Sequence, residues 1–273
     1  MAPTTTRTRR TTRRTTRRTT PAALATAVLL GAAACSAIKV DPERPTAPSS
    51  PASTSSAAGV SRSPAPATPP ALTAAQAQAA LITWTDLGEP WAPTQGAAAW
   101  RDAFLKVRVA PGTAPDCQRL LDALYADELL GAPARAVVGL DDTYHKAQLR
   151  YQVTAQRPAA VDRTLRWLRT LPGRCATFVA TSANGTRQQV EVAGAALPEA
   201  GDARQGLRVT STIEYQDEPV SLTLDVAAVR VGQDAFTLTN GGLGDVYSEV
   251  TAAAVQLGAE RLAAVRKQGR VLV

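Results

Sequence analysis

The chain has 273 residues, 45% of them hydrophobic, which supports a packed core and excludes a wholly disordered protein. Its 30 Lys and Arg against 23 Asp and Glu give a net charge of +7, a balance that would ordinarily suit nucleic acid or an acidic surface. Seven of the arginines (Arg7, Arg9, Arg10, Arg13, Arg14, Arg17, Arg18) lie within the first 34 residues, where there is no acid, and the rest of the chain is balanced at 23 of each sign. No nucleic-acid partner is expected.

Residues 1–34 read as an export signal: an Arg/Thr n-region, then the apolar run Ala22 to Ala34 with Leu24, Val28, Leu29 and Leu30. Ser36, Lys39 and Asp41 break that run before the roughly 20 apolar residues that a membrane span needs. Thr-Thr-Pro follows Arg17-Arg18 where a twin-arginine signal wants large apolar residues, so the Sec route is expected. Gly31 to Ala34 run into Cys35 and resemble a bacterial lipobox, which implies lipidation of Cys35 and a membrane contact through that lipid. Ala32 stands where that pattern prefers Leu, and ordinary cleavage at the Ala-rich site is the alternative. Lipidating Cys35 leaves Cys117 and Cys175 as a pair in an oxidising compartment, with two buried free thiols as the other reading. A bridge between them closes a loop of about 58 residues, for roughly 4 kcal/mol of chain-entropy stabilisation.

Residues 35–71 form the expected tether. From Asp41 to Pro70 the composition falls to Pro, Ala, Ser and Thr with Val60 as the one large aliphatic residue, too little apolar surface to offset ordering.

The domain follows at 72–273. Thr73-Ala-Ala-Gln76 has capping-box spacing before a helix over about 73–82. The stretch carrying Trp84, Trp91 and Trp100 reads as irregular until Phe104. A second helix begins near Pro115, with Leu120, Leu121, Leu124 and Tyr125 as its apolar stripe. Ala147, Leu149, Tyr151 and Val153 then alternate with polar residues, a half-buried strand of an antiparallel sheet. A third helix, about 158–170, carries Val161, Leu165 and Leu168 and is expected to stop at Pro172-Gly173. Strands are expected near 176–181, 187–193, 206–215, 219–231 and 234–239. Beyond Ala227 the alternation slips to Val229 and Val231, which signals a bulge or an end buried on both faces. Asn240-Gly241-Gly242 is expected to close the strand run before a long helix over about 245–267. The expected class is α+β, a twisted antiparallel sheet packed against several helices.

These features together are similar to the PknH-like extracellular domain, the sensor module of receptor kinases. The resemblance rests on the helix Ala74–Leu81, the Trp loop, Cys117 beside Leu120-Leu121, Cys175 before a strand, and Val229-Arg230-Val231-Gly232 ahead of the last helix. It covers about 72–273 and implies a cleft between sheet and helices and an outward-facing sensing role. The chain departs from it in having no kinase domain, and no cysteines remain for the second disulfide of kinase-linked members.

Catalytic chemistry finds little in the sequence. His145 is the lone histidine, at the start of a strand, with no Gly-x-Ser-x-Gly elbow; a surface or structural role is expected. One His and two bridged Cys leave no metal site of ordinary spacing, and no cofactor is expected. Asp141-Asp142 and Asp217-Glu218 read as hairpin turns, as does Asn184-Gly185-Thr186. Gly241, Gly242 and Gly244 match neither a Walker nor a dinucleotide spacing. Trp84, Trp91 and Trp100 are the candidate binding residues, either as the rim of an apolar or sugar-like site or as plugs in the open edge of the core. The expected function is a cell-envelope lipoprotein on the extracellular face of the membrane, whose non-catalytic domain binds a small molecule, glycan or envelope protein. An exported enzyme with a non-obvious site and a purely structural protein are the alternatives.

Overall fold

The computed structural model describes residues 71–244 and 246–271. The leader, Cys35 and the tether up to residue 70 lie outside the described residues. The elements run α1 (Ala74–Ala79), α2 (Trp84–Leu87), β1 (Trp91–Pro93), α3 (Trp100–Leu105), β2 (Val107–Val109), α4 (Pro115–Tyr125), β3 (Ala136–Asp142) and β4 (Gln148–Thr154). They continue with α5 (Pro158–Arg174), β5 (Thr177–Ser182), β6 (Arg187–Ala195), β7 (Ala203–Tyr215), β8 (Glu218–Val231), β9 (Asp234–Leu243) and α6 (Ser248–Val271). The nine strands among the described residues join one sheet in the order β1-β3-β4-β9-β8-β7-β6-β5-β2, with every pair antiparallel. This is the expected α+β arrangement.

Helices cover opposite faces of different halves of the sheet. α5 packs on β6, β7 and β8, with α4 beside it, while α6 packs on β8 and β9 and α1 on β3 and β4. Two cores result. The first gathers Leu120, Leu121, Leu165 and Leu168 with Leu222, Leu224, Val226 and Ala228; the second gathers Leu149, Tyr151, Phe236 and Leu262 with Ala227 and Val229. β8 therefore carries helices on both faces where the two halves overlap. Its pairing with β7 and β9 is unbroken from Leu222 to Arg230, so the slipped alternation after Ala227 marks two-sided burial and no bulge.

Cys117 and Cys175 form a disulfide with a Cα–Cα distance of 5.6 Å. It joins the first turn of α4 to the end of α5. The residues immediately before the two cysteines are also paired, Arg174 Nη1 donating to Asp116 Oδ2 at 2.6 Å. Trp167 Nε1 donates to the other oxygen at 3.0 Å, and these two bonds, Arg174's first, hold the Asp116 carboxyl below the ordinary range.

Several expectations need correction. The stretch from Trp84 to Phe104 is not irregular: it holds α2, β1 and α3, elements too short for a period to show. β3 went unread because Ala136-Val-Val-Gly-Leu140 does not alternate in polarity. α5 continues through Pro172 to Arg174, one turn past the expected stop, because Leu171 is buried against the sheet and its carbonyl accepts Cys175 N at 2.7 Å. Asn240-Gly241-Gly242 lies inside β9, paired with β4 and β8. A Cβ at Gly241 would meet Leu224 Cδ2 at 2.0 Å, so glycine here serves close packing and not a turn. Asp225, in the polar phase of the alternation along β8, is buried under α6. It takes Arg208 Nε and Nη2 at 2.8 and 3.0 Å and Thr251 Oγ1 at 3.1 Å. The turns at 183–186 and at Gln216-Asp217 do connect paired strands, the latter with φ of 53° and 65° at its two central residues.

Candidate functional site

The end of the β3–β4 hairpin is where polar chemistry and cavities converge. β3 ends at Asp142, and the chain must turn back into β4 by Gln148. An aspartate at the start of a turn can accept the amides two and three residues on, and Asp142 Oδ1 does so from Tyr144 N and His145 N, both at 2.8 Å. Its other oxygen meets His145 Nδ1 at 2.9 Å. Burial raises the Asp142 carboxyl, but the amide and ring bonds of His145 and the amide of Tyr144 outweigh it, and the group titrates below its ordinary value. With its Nδ1 proton held by the carboxylate, the imidazole presents Nε2 to the Tyr247 hydroxyl at 3.3 Å, and the two rings meet edge to face with centroids 4.9 Å apart. His145 is thus half-exposed in the turn and not at the start of β4, and it links that turn to the residue preceding α6.

Two cavities flank this turn. The larger, of about 570 Å³, lies between it and the loop 95–99 that leads into α3. Its walls are Gly96, Ala97, Ala98, Ala99, Trp100, Ala147 and Leu243, with Gln95, Asp141, Asp142, Thr143, Lys146 and Gln148 as polar members. Gln148 holds the loop in place. Its Nε2 donates to Gly96 O at 2.8 Å, Asp141 Oδ1 at 2.8 Å and Thr94 Oγ1 at 3.0 Å, and its Oε1 accepts Ala98 N at 3.2 Å. Asp141 Oδ2 also accepts Gln95 N at 3.1 Å. Neutral amides hydrogen-bond Asp141 and the His145 turn hydrogen-bonds Asp142, so both carboxylates are held in place, and the lining carries these two acids and one cation, Lys146. The indole N–H of buried Trp100 has no acceptor within the protein.

The second cavity, of about 420 Å³, is lined by Trp84, Glu89, Pro90, Trp91, Ala92, Pro93, Thr143 and Tyr144.

The three tryptophans do not form one rim. Trp91 belongs to the core under α6, paired in register with Asp142, and Trp100 to the core under α4 and α5. Trp100 lines the larger cavity, and Trp84 and Trp91 the smaller. Trp91 and Trp100 are buried and plug their cores; Trp84 is half-exposed. Asp141, Asp142, His145, Lys146 and Gln148 were not expected at a site. The Asp-x-x-His spacing of a capped turn was the one available signal for part of the set.

Among the described residues, no group of three or more His, Cys, Asp and Glu is placed to hold a metal ion. Among them, too, no helix is long and apolar enough to cross a membrane.

No protein-family model matches the chain, and no curated protein matches it. Among solved structures it is similar to the crystal structure of the extracellular domain of PknH from Mycobacterium tuberculosis. The identity is 16% and the TM-score 0.41, over 72% of this chain and 98% of that one.

Proposed function

We propose that the domain is a non-catalytic, sensor-like binding module of a cell-envelope lipoprotein. On this reading it is held on the extracellular face of the membrane by lipid on Cys35, with its ligand in the cavity beside Trp100. The observation that carries the reading is a 570 Å³ space with apolar walls and a few fixed polar groups, the composition of small-molecule sites. Lys146, the one cation on the lining, can meet an acceptor head on an apolar body. The Cys117–Cys175 disulfide fits an oxidising compartment.

The test is thermal unfolding of the whole protein with medium-chain carboxylates, octanoate first. Ligand at about 100 times its Kd adds about 2.7 kcal/mol, or roughly 5–10 °C in Tm for a domain of this size. Ala97→Trp, which places a ring in the cavity, removes the shift. No shift with any member of the panel, or a shift that survives Ala97→Trp, contradicts the reading.

The enzyme reading draws on the Asp142–His145 pair, an imidazole oriented by a carboxylate at the cavity edge. It predicts turnover lost in His145→Ala, whereas the binding reading predicts that His145→Ala still binds.

A further inference from the structure

The geometry points to the smaller cavity, beside Trp84 and Tyr144, as a binding site for a neutral saccharide. The inference shares with the preceding section the reading of this domain as a binding module, but it concerns a different cavity and different residues.

Trp84 is 46% exposed and Tyr144 79% exposed, and both line the same 420 Å³ space. Tyr215 and Tyr247 are exposed as well, but Trp84 and Tyr144 share one cavity, and it is apolar surface gathered at one place that marks an interaction site. The scaffold here is rigid on both sides. Trp84 opens α2, whose N-terminus is closed by a capping box in which Asp86 Oδ2 accepts Thr83 N at 2.7 Å. The other oxygen of Asp86 is bound by Arg261 of α6 at 2.5 Å, and the same guanidinium donates to Leu81 O at 2.6 Å. Tyr144 is held through its backbone by the Asp142 carboxylate. Thr143 joins the two walls, its N and Oγ1 both donating to Pro90 O, at 3.2 and 3.1 Å. Each aromatic residue therefore sits on backbone that an aspartate fixes, so binding has little backbone to order.

The lining sets the chemistry of the occupant. Glu89 supplies a carboxylate acceptor, and the described residues around the cavity include no Lys, Arg or His. An anionic ligand is disfavoured. What fits is a molecule with apolar faces for the rings and donors for the carboxylate; a pyranose supplies both on one ring, and tighter binding of choline than of chitotriose would show that the rings and Glu89 instead select a cation. A proline-rich peptide, such as this chain's own Ser63–Pro70, also has apolar ring faces. Its donors, on Ser63, Ala65, Ala67 and Thr68, stand apart from the proline rings that would stack, whereas a pyranose carries hydroxyls on the rim of the stacking ring itself, so the saccharide is the better match.

Isothermal titration of the whole protein with chitotriose tests the assignment. Chitotriose should bind, with Kd raised at least about tenfold in Trp84→Ala and in Tyr144→Ala. Glu89→Ala should weaken binding less, and Ala97→Trp should leave it unchanged. Thermal unfolding of each variant checks that the fold is intact, which the exposure of both rings favours. No heat with chitotriose at millimolar concentration, unchanged affinity in a folded Trp84→Ala, or tighter binding of a Ser63–Pro70 peptide than of chitotriose would each overturn it. The octanoate shift and its loss in Ala97→Trp report on the larger cavity alone, so either proposal can fail without the other.

Discussion

The side-chain amide of Gln148 donates to the carbonyl of Gly96 at 2.8 Å, and through this bond a buried residue of β4 holds the loop that walls the larger cavity. Gln148 also bonds Thr94, Asp141 and the amide of Ala98, so one side chain anchors the loop at three places and the facing strand at one. Gln148→Ala should cost about 0.5–1.5 kcal/mol, because its partners Thr94, Gly96, Ala98 and Asp141 are exposed or half-buried and water can replace part of what is lost. Hydrogen exchange should show faster exchange at 94–99, with the amide of Ala98 most affected and β7 and β8 unchanged. Equal protection at Ala98 in both proteins would remove Gln148 from this role.

The bridge between Cys117 and Cys175 spans 58 positions of sequence, for which chain entropy gives roughly 4 kcal/mol. The neighbouring Asp116–Arg174 pair is partly exposed and adds no more than about 1 kcal/mol, so it cannot stand in for the bridge. The double variant Cys117→Ser with Cys175→Ser should lower Tm by roughly 8–16 °C. Calorimetry of wild type with and without reductant should give a matching difference.

The pH dependence of stability carries a sign that Asp142 sets. Its folded value is depressed, despite burial, by the His145 and Tyr144 hydrogen bonds, so its contribution is present above the unfolded value of about 3.9. That contribution is lost as pH falls through the lower folded value. In urea titrations, Asp142→Asn should be less stable than wild type by about 1–3 kcal/mol at neutral pH, and the gap should close below pH of about 4. A gap that stays constant into strong acid would show that the ionised carboxylate is not what holds the turn.

Gly241 separates two readings of one motif. If Asn240-Gly241-Gly242 were a turn, alanine at 241 would matter through backbone conformation. Inside β9, its methyl would meet the buried side chain of Leu224, an overpacking that costs about 1–3 kcal/mol. Gly241→Ala should therefore destabilise, and Leu224→Ala in the same chain should cost less than the sum of the two single changes, since it vacates the clash. Additive losses would contradict the packing account.

How much was legible follows from which signals are local. Alternation at Ala147–Val153 and Val220–Val226 reveals strands because each has a clear period of two, and the capping box at Thr73–Gln76 marks the start of α1. The slip at Val229 carries real information, and the two-sided burial of β8 explains it. The three-residue strands β1 and β2 have no period to detect. The separation of Trp91 from Trp100 depends on which strand β1 pairs with, a long-range register that no local pattern encodes. The site is hidden for the same reason. Gln148 reads as the polar half of an alternation, and its role comes from a loop some fifty positions earlier folding over it. Asp142 and His145 are local partners, and the Asp-Thr-Tyr-His order is visible once the end of β3 is known.

The most direct test of the binding account is native mass spectrometry of the protein extracted from membranes, wild type beside Ala97→Trp. The account predicts a diacylglyceryl-type mass on Cys35 in both proteins, an intact Cys117–Cys175 bridge, and a small-molecule adduct in wild type that is absent from the variant. An unlipidated chain, or the same adduct state in both proteins, would contradict it.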